Sequence, residues 1–374
     1  MVKIAFDAKR AFLNNSGLGN YSRTIIKSLH FFYPNVQQIL FTPKTNEGNF
    51  VSEISKLPNI EINKPTQFID SKFKSYWRSY SITKQLIKNN VDVYHGLSNE
   101  LPINIKQFKG KKIVTIHDLI FLRNPHLYSF IDRTLYRKKF YAACKNADVI
   151  IAISEETKND IIDFFNISPE KIKVVYQSCD DVYYKTNSEQ EIEEVVNQFS
   201  LPENYLLYVG TIEERKNLLT IIKSLKEVDS LIPLVVIGKK TDYYKTVLNY
   251  ISENKLNNRI LFLENVSNEQ LPIIYKKAAV FIYPSIFEGF GIPILEALVS
   301  KTPVITNNSG CFPEAGGPNT IYVDPLDSKK MAQKINQLLQ SESLRNEIAE
   351  HGYIYAEKFK KEIIAKQLMS IYTS

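Results

Sequence analysis

The chain has 374 residues, of which 44% are hydrophobic and 23% charged, as in a soluble globular protein long enough for two α/β domains. No apolar run approaches the roughly 18 residues that a membrane-spanning helix needs. The N-terminal segment has the pattern of a strand and not of a signal peptide. The three cysteines lie far apart in the sequence. We therefore expect reduced thiols in a cytoplasmic protein, and neither a metal site nor a redox motif.

The net charge of +7 is unevenly distributed along the chain. Residues 1–185 carry +10 and residues 186–374 carry −3. A basic first half beside a mildly acidic second half predicts that the first half meets something anionic. Phospholipid headgroups, a lipid diphosphate and nucleic acid all fit that charge. Nucleic acid is the weakest of the three, because the chain contains no recognised motif of that class.

Strands and helices alternate in the first half, which predicts a parallel sheet covered on both faces. The predicted strands are Val2–Asp7, Gln38–Thr42, Val91–Tyr94, Lys112–Ile116, Val149–Ile153 and Lys173–Tyr176. The predicted helices lie near Asn20–Phe32, Ser75–Lys88, Tyr128–Asn146 and Glu155–Phe165. Ligands of such sheets bind at the carboxyl ends of the strands, so the residues that follow each strand are the first candidates for a site.

Two features follow strands of the first half. The segment Asn14–Tyr21 is a glycine-rich turn before a helix, and Gly17 and Gly19 would leave backbone N–H groups open to a diphosphate. Its spacing is not that of a dinucleotide-binding motif, and a plain loop is an equal alternative. His117 ends a buried strand, where a histidine taken alone is usually structural. His95 ends another strand, and its position fits a structural role and a role in the ligand site equally well.

Two predicted helices of the first half, Ser71–Lys88 and Tyr128–Lys145, combine basic and aromatic side chains. Such a combination suits a membrane interface. The alternative is a solvated helix face with a buried aromatic stripe. The basic residues are Lys72, Lys74, Arg78, Lys84, Lys88, Arg133, Arg137, Lys138 and Lys139. The aromatic residues are Tyr76, Trp77, Tyr80, Tyr128, Phe130, Tyr136 and Phe140.

A polar segment, residues 183–200, marks the predicted crossing to a second α/β unit. The predicted strands of that unit are Tyr205–Val209, Pro233–Ile237, Arg259–Phe262, Val280–Tyr283, Pro303–Thr306 and Ile321–Val323. Arg215 and Lys216 lie in the turn that follows the first of these strands. Two adjacent cations there would suit a diphosphate, although such a pair is more often a solvated helix start.

The segment Pro284–Glu296 joins a short apolar strand to a helix. Gly289 and Gly291 permit backbone conformations and a close ligand approach that side chains would block. The free N–H groups at the helix start suit phosphate or sugar oxygens. Glu288 and Glu296 can each accept paired hydrogen bonds from vicinal hydroxyls. The combination predicts a nucleotide-sugar site. The alternative is an ordinary strand–loop–helix join with two solvent-facing glutamates.

These motifs resemble those of the retaining, GT-B-fold glycosyltransferases of family 4, in particular bacterial polysaccharide mannosyltransferases. The Glu-x7-Glu spacing of Glu288 and Glu296 around Gly-Phe-Gly matches the donor-site signature of that family. The remaining motifs occur in the family's order and cover almost the whole chain. They are Gly17–Tyr21, His117-Asp118-Leu119, Arg215-Lys216 and Pro313-Glu314. The chain departs from the pattern at Thr211, where many members have arginine.

The resemblance implies an α/β, GT-B fold, with two Rossmann-like domains facing each other across a cleft. Residues 1–185 would form the N-terminal, acceptor-side domain. Residues 186–357 would form the nucleotide-sugar domain, and a C-terminal helix, 358–374, would pack back on the first domain.

The resemblance also implies the reaction and its residues. A hexose would move, with retention of configuration, from a nucleotide diphosphosugar to a hydroxyl of a glycan or lipid-linked acceptor in surface polysaccharide synthesis. GDP-mannose is the leading donor, and neither a metal ion nor a cofactor is expected. The implied catalytic residues are His117, Arg215, Lys216 and Glu288. The implied donor-binding residues are Gly17, Gly19, Glu264, Val266, Gly289, Phe290, Gly291, Ile292 and Glu296.

Two other hypotheses remain open from the sequence. One is another GT-B enzyme such as a nucleotide-sugar epimerase, and the other is a catalytically silent scaffold that binds a nucleotide sugar. The intact cation pair and the two glutamates argue against a scaffold, which needs neither set. We expect a cytoplasmic protein, with peripheral attachment to the inner face of an anionic membrane as a further hypothesis.

Overall fold

A computed structural model describes residues 2–14, 16–45 and 49–374. Within them the first sheet has seven parallel strands, in the order β3-β2-β1-β4-β5-β6-β7. Its strands are β1 (Lys3–Asp7), β2 (Gln37–Phe41), β3 (Ile60–Asn63), β4 (Val93–Gly96), β5 (Lys111–Ile116), β6 (Val149–Ala152) and β7 (Ile172–Val174). Each is short and mostly apolar, as expected of strands buried on both faces.

Helices cover both faces of this sheet, because successive side chains of a strand point to opposite sides. From β1, Ile4 and Phe6 join one apolar cluster, and Ala5 joins another that contains Trp77. The helices are α1 (Lys9–Leu13), α2 (Gly17–Phe32), α3 (Asn49–Ile54), α4 (Phe68–Lys72), α5 (Lys74–Tyr76), a π-helical turn (Trp77–Ser81), α6 (Ile82–Lys88), α7 (Ile120–Arg123), α8 (Phe130–Asn146) and α9 (Glu155–Phe165).

The second sheet, within the same described residues, has six parallel strands in the order β10-β9-β8-β11-β12-β13. These are β8 (Leu206–Val209), β9 (Leu234–Ile237), β10 (Ile260–Leu263), β11 (Val280–Tyr283), β12 (Val304–Asn307) and β13 (Ile321–Val323). The helices that follow the first unit along the chain are α10 (Glu189–Phe199), α11 (Leu218–Ser224), α12 (Tyr243–Glu253), α13 (Leu271–Lys277), α14 (Ile292–Val299), α15 (Phe312–Gly316), α16 (Ser328–Leu339), α17 (Glu342–Ala356) and α18 (Lys361–Thr373).

All the strands predicted from sequence are present, with ends shifted by a few residues at most, and the α/β fold class is confirmed. The predictions missed β3, a short and partly exposed edge strand whose apolar signal is weak. Residues 189–199, predicted as part of a linker, form helix α10 because Ser188 and Glu191 make a capping box. The C-terminal helix predicted at 358–374 begins slightly later than expected, since α18 spans Lys361–Thr373.

The chain divides into two compact units, residues 1–178 with 359–374, and residues 179–358. In the first unit, α18 packs on α2 and adds Ile364, Leu368 and Tyr372 to the apolar cluster around β1. The sequence-based division into 1–185, 186–357 and 358–374 stays a prediction. No helix of the described residues combines the length and the hydropathy needed to cross a bilayer.

Candidate functional site

The turns after β8 and β11 lie side by side, because these two strands are neighbours in the second sheet. The turn after β8 carries a short helical turn, Glu214–Lys216, and the turn after β11 carries Glu288. The Ile286 N–H donates to the Arg215 carbonyl over 2.9 Å, which joins the two turns directly. Residues 72 apart in the sequence are thereby brought into contact.

The second of these turns ends at Gly291, which has φ of +103° and forms the N-cap of α14. Residues with a Cβ rarely adopt this conformation, so glycine is required there. Pro293 follows in the first turn of the helix, where its missing N–H costs no hydrogen bond. Phe290 is buried, and Ile292 is partly exposed.

Glu288 is the centre of a cluster of hydrogen bonds and ion pairs. Its Oε1 atom lies 2.5 Å from Lys216 Nζ, 3.0 Å from Arg215 Nη1, 2.6 Å from the Ser285 hydroxyl and 2.9 Å from the Tyr283 hydroxyl. Lys216 also donates to the Tyr283 hydroxyl over 2.6 Å. The structure thus brings together three of the four predicted catalytic residues.

Glu288 is ionised in this setting. Burial alone would raise the pKa of its carboxyl, but the charges of Lys216 and Arg215 outweigh that effect and lower the pKa to about 2. Burial raises the pKa of the Tyr283 hydroxyl well above its ordinary value, and the neighbouring Glu288 charge adds to the effect. The tyrosine is therefore a neutral donor to the carboxylate.

The two cations of the cluster are compensated by carboxylates. Arg215 pairs with Glu213 over 2.7 Å as well as with Glu288, and it donates to the Phe287 carbonyl. Burial would lower the pKa of Arg215, but Glu288 and Glu213 together raise it. The side chains of Lys216 and Glu288 are only 14% and 12% exposed, so solvent weakens their attraction little.

Sequence reasoning missed Tyr283 and Ser285, the two hydroxyl donors to Glu288. Their signal was available, because polar residues that end a buried strand of a parallel sheet face the ligand-binding edge. Two buried asparagines hold the surrounding turns by hydrogen bonds to backbone carbonyls. Asn217 donates to Pro284 and Pro325, and Asn307 donates to Ser285.

Glu296 lies in a different setting, one turn into α14. The Tyr275 hydroxyl donates to its Oε2 over 3.2 Å, and Tyr183 forms a second hydrogen bond. Burial raises the pKa of Glu296 to about 7 despite these two bonds, and the nearby Asp180 charge raises it further. The two glutamates of the motif therefore have opposite pKa shifts.

The predicted donor-binding residues Glu264 and Val266 lie in the turn that follows β10. Glu264 is exposed and pairs with Lys240, which follows the neighbouring strand β9. The side chain of Lys240 also lies over the Tyr244 ring, 4.8 Å from its centroid. Val266 is partly exposed in the same turn. This turn and the Glu288 cluster both lie at the carboxyl edge of the second sheet.

In the first unit, Gly17 and Gly19 lie in the first turn of α2 itself, so the helix begins earlier than predicted. Asn15, in the predicted turn, lies outside the described residues. A Cβ at Gly19 would be 1.8 Å from the Asn14 carbonyl oxygen, so this position requires glycine for close packing. The Tyr21 hydroxyl is bonded to Thr115 Oγ1 over 3.0 Å, and its ring packs edge-on against His117.

His117 follows β5 and is buried. Its Nε2 lies 2.8 Å from the Leu97 carbonyl oxygen, which can only accept, so Nε2 carries the proton. Burial lowers the pKa of His117 to about 4, although the bond to Leu97 opposes this and the charge of Arg10 adds to it. The ring is therefore neutral, with Nδ1 as its acceptor. The Asn99 side chain accepts from the His117 backbone N–H over 2.8 Å.

His95 is structural. It is fully buried, and its two ring nitrogens lie 2.8 Å from the Tyr372 hydroxyl and 2.8 Å from Thr115 Oγ1. Burial lowers its pKa to about 3, with a smaller contribution from His117. His95 therefore links β4 and β5 to the C-terminal helix α18.

The two basic, aromatic segments are less uniform than predicted. Trp77 is fully buried and packs against Phe41, and Phe140 is buried as well. Arg78 is engaged in ion pairs with Asp7 and Glu100. The exposed members include Tyr76, Tyr80, Phe130, Tyr136, Lys72, Lys74, Arg137 and Lys138.

Among the described residues, histidine, cysteine, aspartate and glutamate side chains form no group of three that could hold a metal ion. The three cysteines are buried thiols that form no disulfide with one another. Cys311 donates to the carbonyls of Glu288 and Phe290, each over 3.2 Å, and so supports the turn before α14.

Comparison with known proteins gives consistent matches. Residues 17–181 match the model of Glycosyltransferase Family 4, and residues 189–355 match that of Glycosyl transferases group 1. The O-antigen chain mannosyltransferase B of Escherichia coli is 29% identical, over 75% of this chain and 74% of its own. The O-antigen chain mannosyltransferase RfbU of Salmonella typhimurium (strain LT2) is 32% identical, over 61% of this chain and 60% of its own.

The fold has close counterparts among solved structures. Anabaena Alr3699/HepE, determined in complex with UDP and glucose, superposes with a TM-score of 0.77 over the whole of both chains, at 18% identity. The two parallel sheets and the two adjoining family matches agree with the fold predicted from the motifs. The chain therefore belongs to the GT-B-fold glycosyltransferases, with a family 4 domain followed by a group 1 domain.

Proposed function

We propose that this glycosyltransferase transfers a hexose from a nucleotide diphosphosugar to an acceptor hydroxyl, with retention of anomeric configuration and without a metal ion. The observation that carries the proposal is the cluster of Arg215, Lys216 and Glu288 at the adjoining ends of β8 and β11. Two fixed cations at the ligand-binding edge of a parallel sheet suit a diphosphate leaving group.

The chemistry requires stabilisation of developing charge. The bond between the anomeric carbon and the phosphate oxygen breaks, a bond to the acceptor oxygen forms, and the acceptor proton passes to the departing phosphate. Negative charge grows on the diphosphate while the sugar becomes oxocarbenium-like. Lys216 and Arg215, held in place by the ionised Glu288, would stabilise that negative charge without reorganising.

Two further donor contacts are proposed at the same edge of the second sheet. Glu296 would hold the ribose hydroxyls, and Glu288 a hydroxyl of the sugar. Backbone groups of the turn before α14 would face the donor. We assign the other donor contacts to Gly17, Gly19, Glu264, Val266, Gly289, Phe290, Gly291 and Ile292. His117, neutral and with its proton on Nε2, would lie beside the donor sugar.

GDP-mannose is the proposed donor. The support is that the two relatives described above are named as O-antigen chain mannosyltransferases. By the same support, the proposed acceptor is a glycan or lipid-linked glycan of a surface polysaccharide. The enzyme would act in the cytoplasm, attached peripherally to an anionic membrane through the exposed cations Lys72, Lys74, Arg137 and Lys138.

A binding screen followed by product analysis tests the proposal. Ligand binding raises thermal stability by mass action, so GDP-mannose should raise the melting temperature more than UDP-glucose, UDP-galactose or GDP alone. Transfer should then persist in excess EDTA, and NMR of the product should show the anomeric configuration of the donor. An inverted product, or an EDTA-sensitive rate, would contradict the corresponding part of the proposal.

A further inference from the structure

Two cations of the first unit, Lys9 and Arg10, lie directly beyond the carboxyl end of the central strand β1. Both are half-buried. Among the residues that the structure describes, neither side chain makes an ion pair or a hydrogen bond. Partly buried cations normally have a partner, because removal from water costs free energy that only an opposite charge or hydrogen bonds offset.

The carboxylates nearest to these cations are engaged elsewhere. Arg78 donates to Asp7 over 2.7 Å and to Glu100 over 2.8 Å, and Lys139 lies 3.3 Å from Glu100. The Asp7 side chain also accepts from the backbone N–H of Lys9. With Lys9 and Arg10, four cations therefore lie near two carboxylates, and only Arg78 and Lys139 pair with them, which leaves a local excess of positive charge.

The excess of positive charge contributes to a lowered pKa of Lys9. Burial lowers the pKa of its amine first, and the charges of Arg78 and Arg10 lower it further, against the smaller effects of Asp7 and Glu100. An anion bound at this position would offset the excess positive charge around Lys9 and Arg10. The charge of Arg10 also lowers the pKa of His117, which follows β5, two strands away from β1 in the same sheet.

We propose that Lys9 and Arg10 bind a phosphate group. An arginine fork and a lysine point charge side by side suit a phosphate, which offers several acceptor oxygens to both. The inference rests on the proposed function, because that reaction brings phosphate from two sources. One is the diphosphate of the nucleotide-sugar donor, and the other is the diphosphate of a lipid-linked acceptor. The ion pairs of Arg78 with Asp7 and Glu100 offset part of the negative charge of these two carboxylates.

Direct binding by calorimetry tests the site with three probes: inorganic pyrophosphate, GDP and farnesyl diphosphate. The variants are Lys9→Gln and Arg10→Gln, with Lys27→Gln as the control, since Lys27 is a lysine of the same unit that is already paired with Glu53. Each site variant should weaken binding of pyrophosphate about tenfold, which is the effect of losing one charge-assisted contact. Arg10→Lys should recover part of the loss, and Lys27→Gln should bind as the wild type does.

The probes distinguish the two sources. Weaker binding of farnesyl diphosphate but not of GDP supports an acceptor phosphate, and weaker binding of GDP but not of farnesyl diphosphate supports a donor phosphate. Unchanged binding of all three probes by the double variant Lys9→Gln/Arg10→Gln overturns the site. Measured mannosyl transfer by the wild type would leave the proposed function standing in that case. Failure of the wild type to bind any of the three probes also overturns the site, and the screen with intact nucleotide sugars then tests the function separately.

Discussion

Replacing Lys216 by methionine tests the central cluster most directly. The side chain keeps the length of the lysine as far as Cε but loses the ion pair with Glu288 at 2.5 Å and the hydrogen bond to Tyr283 at 2.6 Å. If these charges stabilise the departing diphosphate, losing one should cost about 2–4 kcal/mol in the transition state, or roughly 30–1000-fold in kcat. Arg215→Ala should have an effect of similar size.

The same change should lower stability by a smaller amount. Glu288 keeps Arg215 and two hydroxyl donors, so we expect about 1–3 kcal/mol, which is the cost of one lost charge-assisted bond. A carboxylate left with no partner would cost more, about 3–5 kcal/mol. The double variant Lys216→Met/Glu288→Gln removes the excess charge, so its melting temperature should recover towards that of the wild type while its activity stays low.

Initial rates at saturating donor, combined with thermal melts, separate the two effects. Lys223→Met is the matched control, since Lys223 is an exposed lysine on the helix that follows the site. It should behave as the wild type in both measurements. Wild-type turnover by both Lys216→Met and Arg215→Ala would refute the assignment of the diphosphate to these cations. A double variant that recovered activity along with stability would refute the transition-state role and leave only a structural one.

Three further predictions follow from the glutamates and from the surface of the first unit. Glu296→Gln should raise KM for the donor more than it lowers kcat, whereas Glu288→Gln should lower kcat more than it raises KM. Steady-state kinetics showing the reverse would mean that the two roles are exchanged. The pKa of Glu296 is raised from 4.5 to about 7, so its stabilising contribution is full below about pH 4.5 and lost as the pH rises through 7. The melting temperature of the wild type should therefore fall relative to that of Glu296→Gln across this range, and parallel pH profiles would count against it. The protein should co-sediment with anionic vesicles at low salt and be released at about 1 M salt, where the Debye length is a few Å. Sedimentation should be lost when four exposed cations are changed to glutamate, namely Lys72, Lys74, Arg137 and Lys138. It should be kept when the same change is made at Lys245, Lys255, Lys329 and Lys330. Equal binding to neutral vesicles would contradict an electrostatic attachment.

The sequence by itself determined every strand except the edge strand β3, the alternation of strands with helices, and the family. Short apolar runs that are flanked by turn residues and alternate with helices indicate buried parallel strands. The motif around Glu288 was equally visible, since Gly291 and Pro293 each suit one local backbone position at a helix start. These signals are local, so they are readable without knowledge of the distant parts of the chain.

Only the tertiary structure decided which of these residues act on one another. The contact of Lys216 with Glu288 depends on β8 and β11 being neighbours, a pairing between segments far apart in the sequence. The two glutamates look equivalent in the motif, yet one pKa falls to about 2 and the other rises to about 7. Burial acts on both, but only Glu288 has cations beside it, whereas Glu296 has tyrosines. The charge of a neighbour across the sheet decides the difference, and a linear pattern of residue types does not contain it.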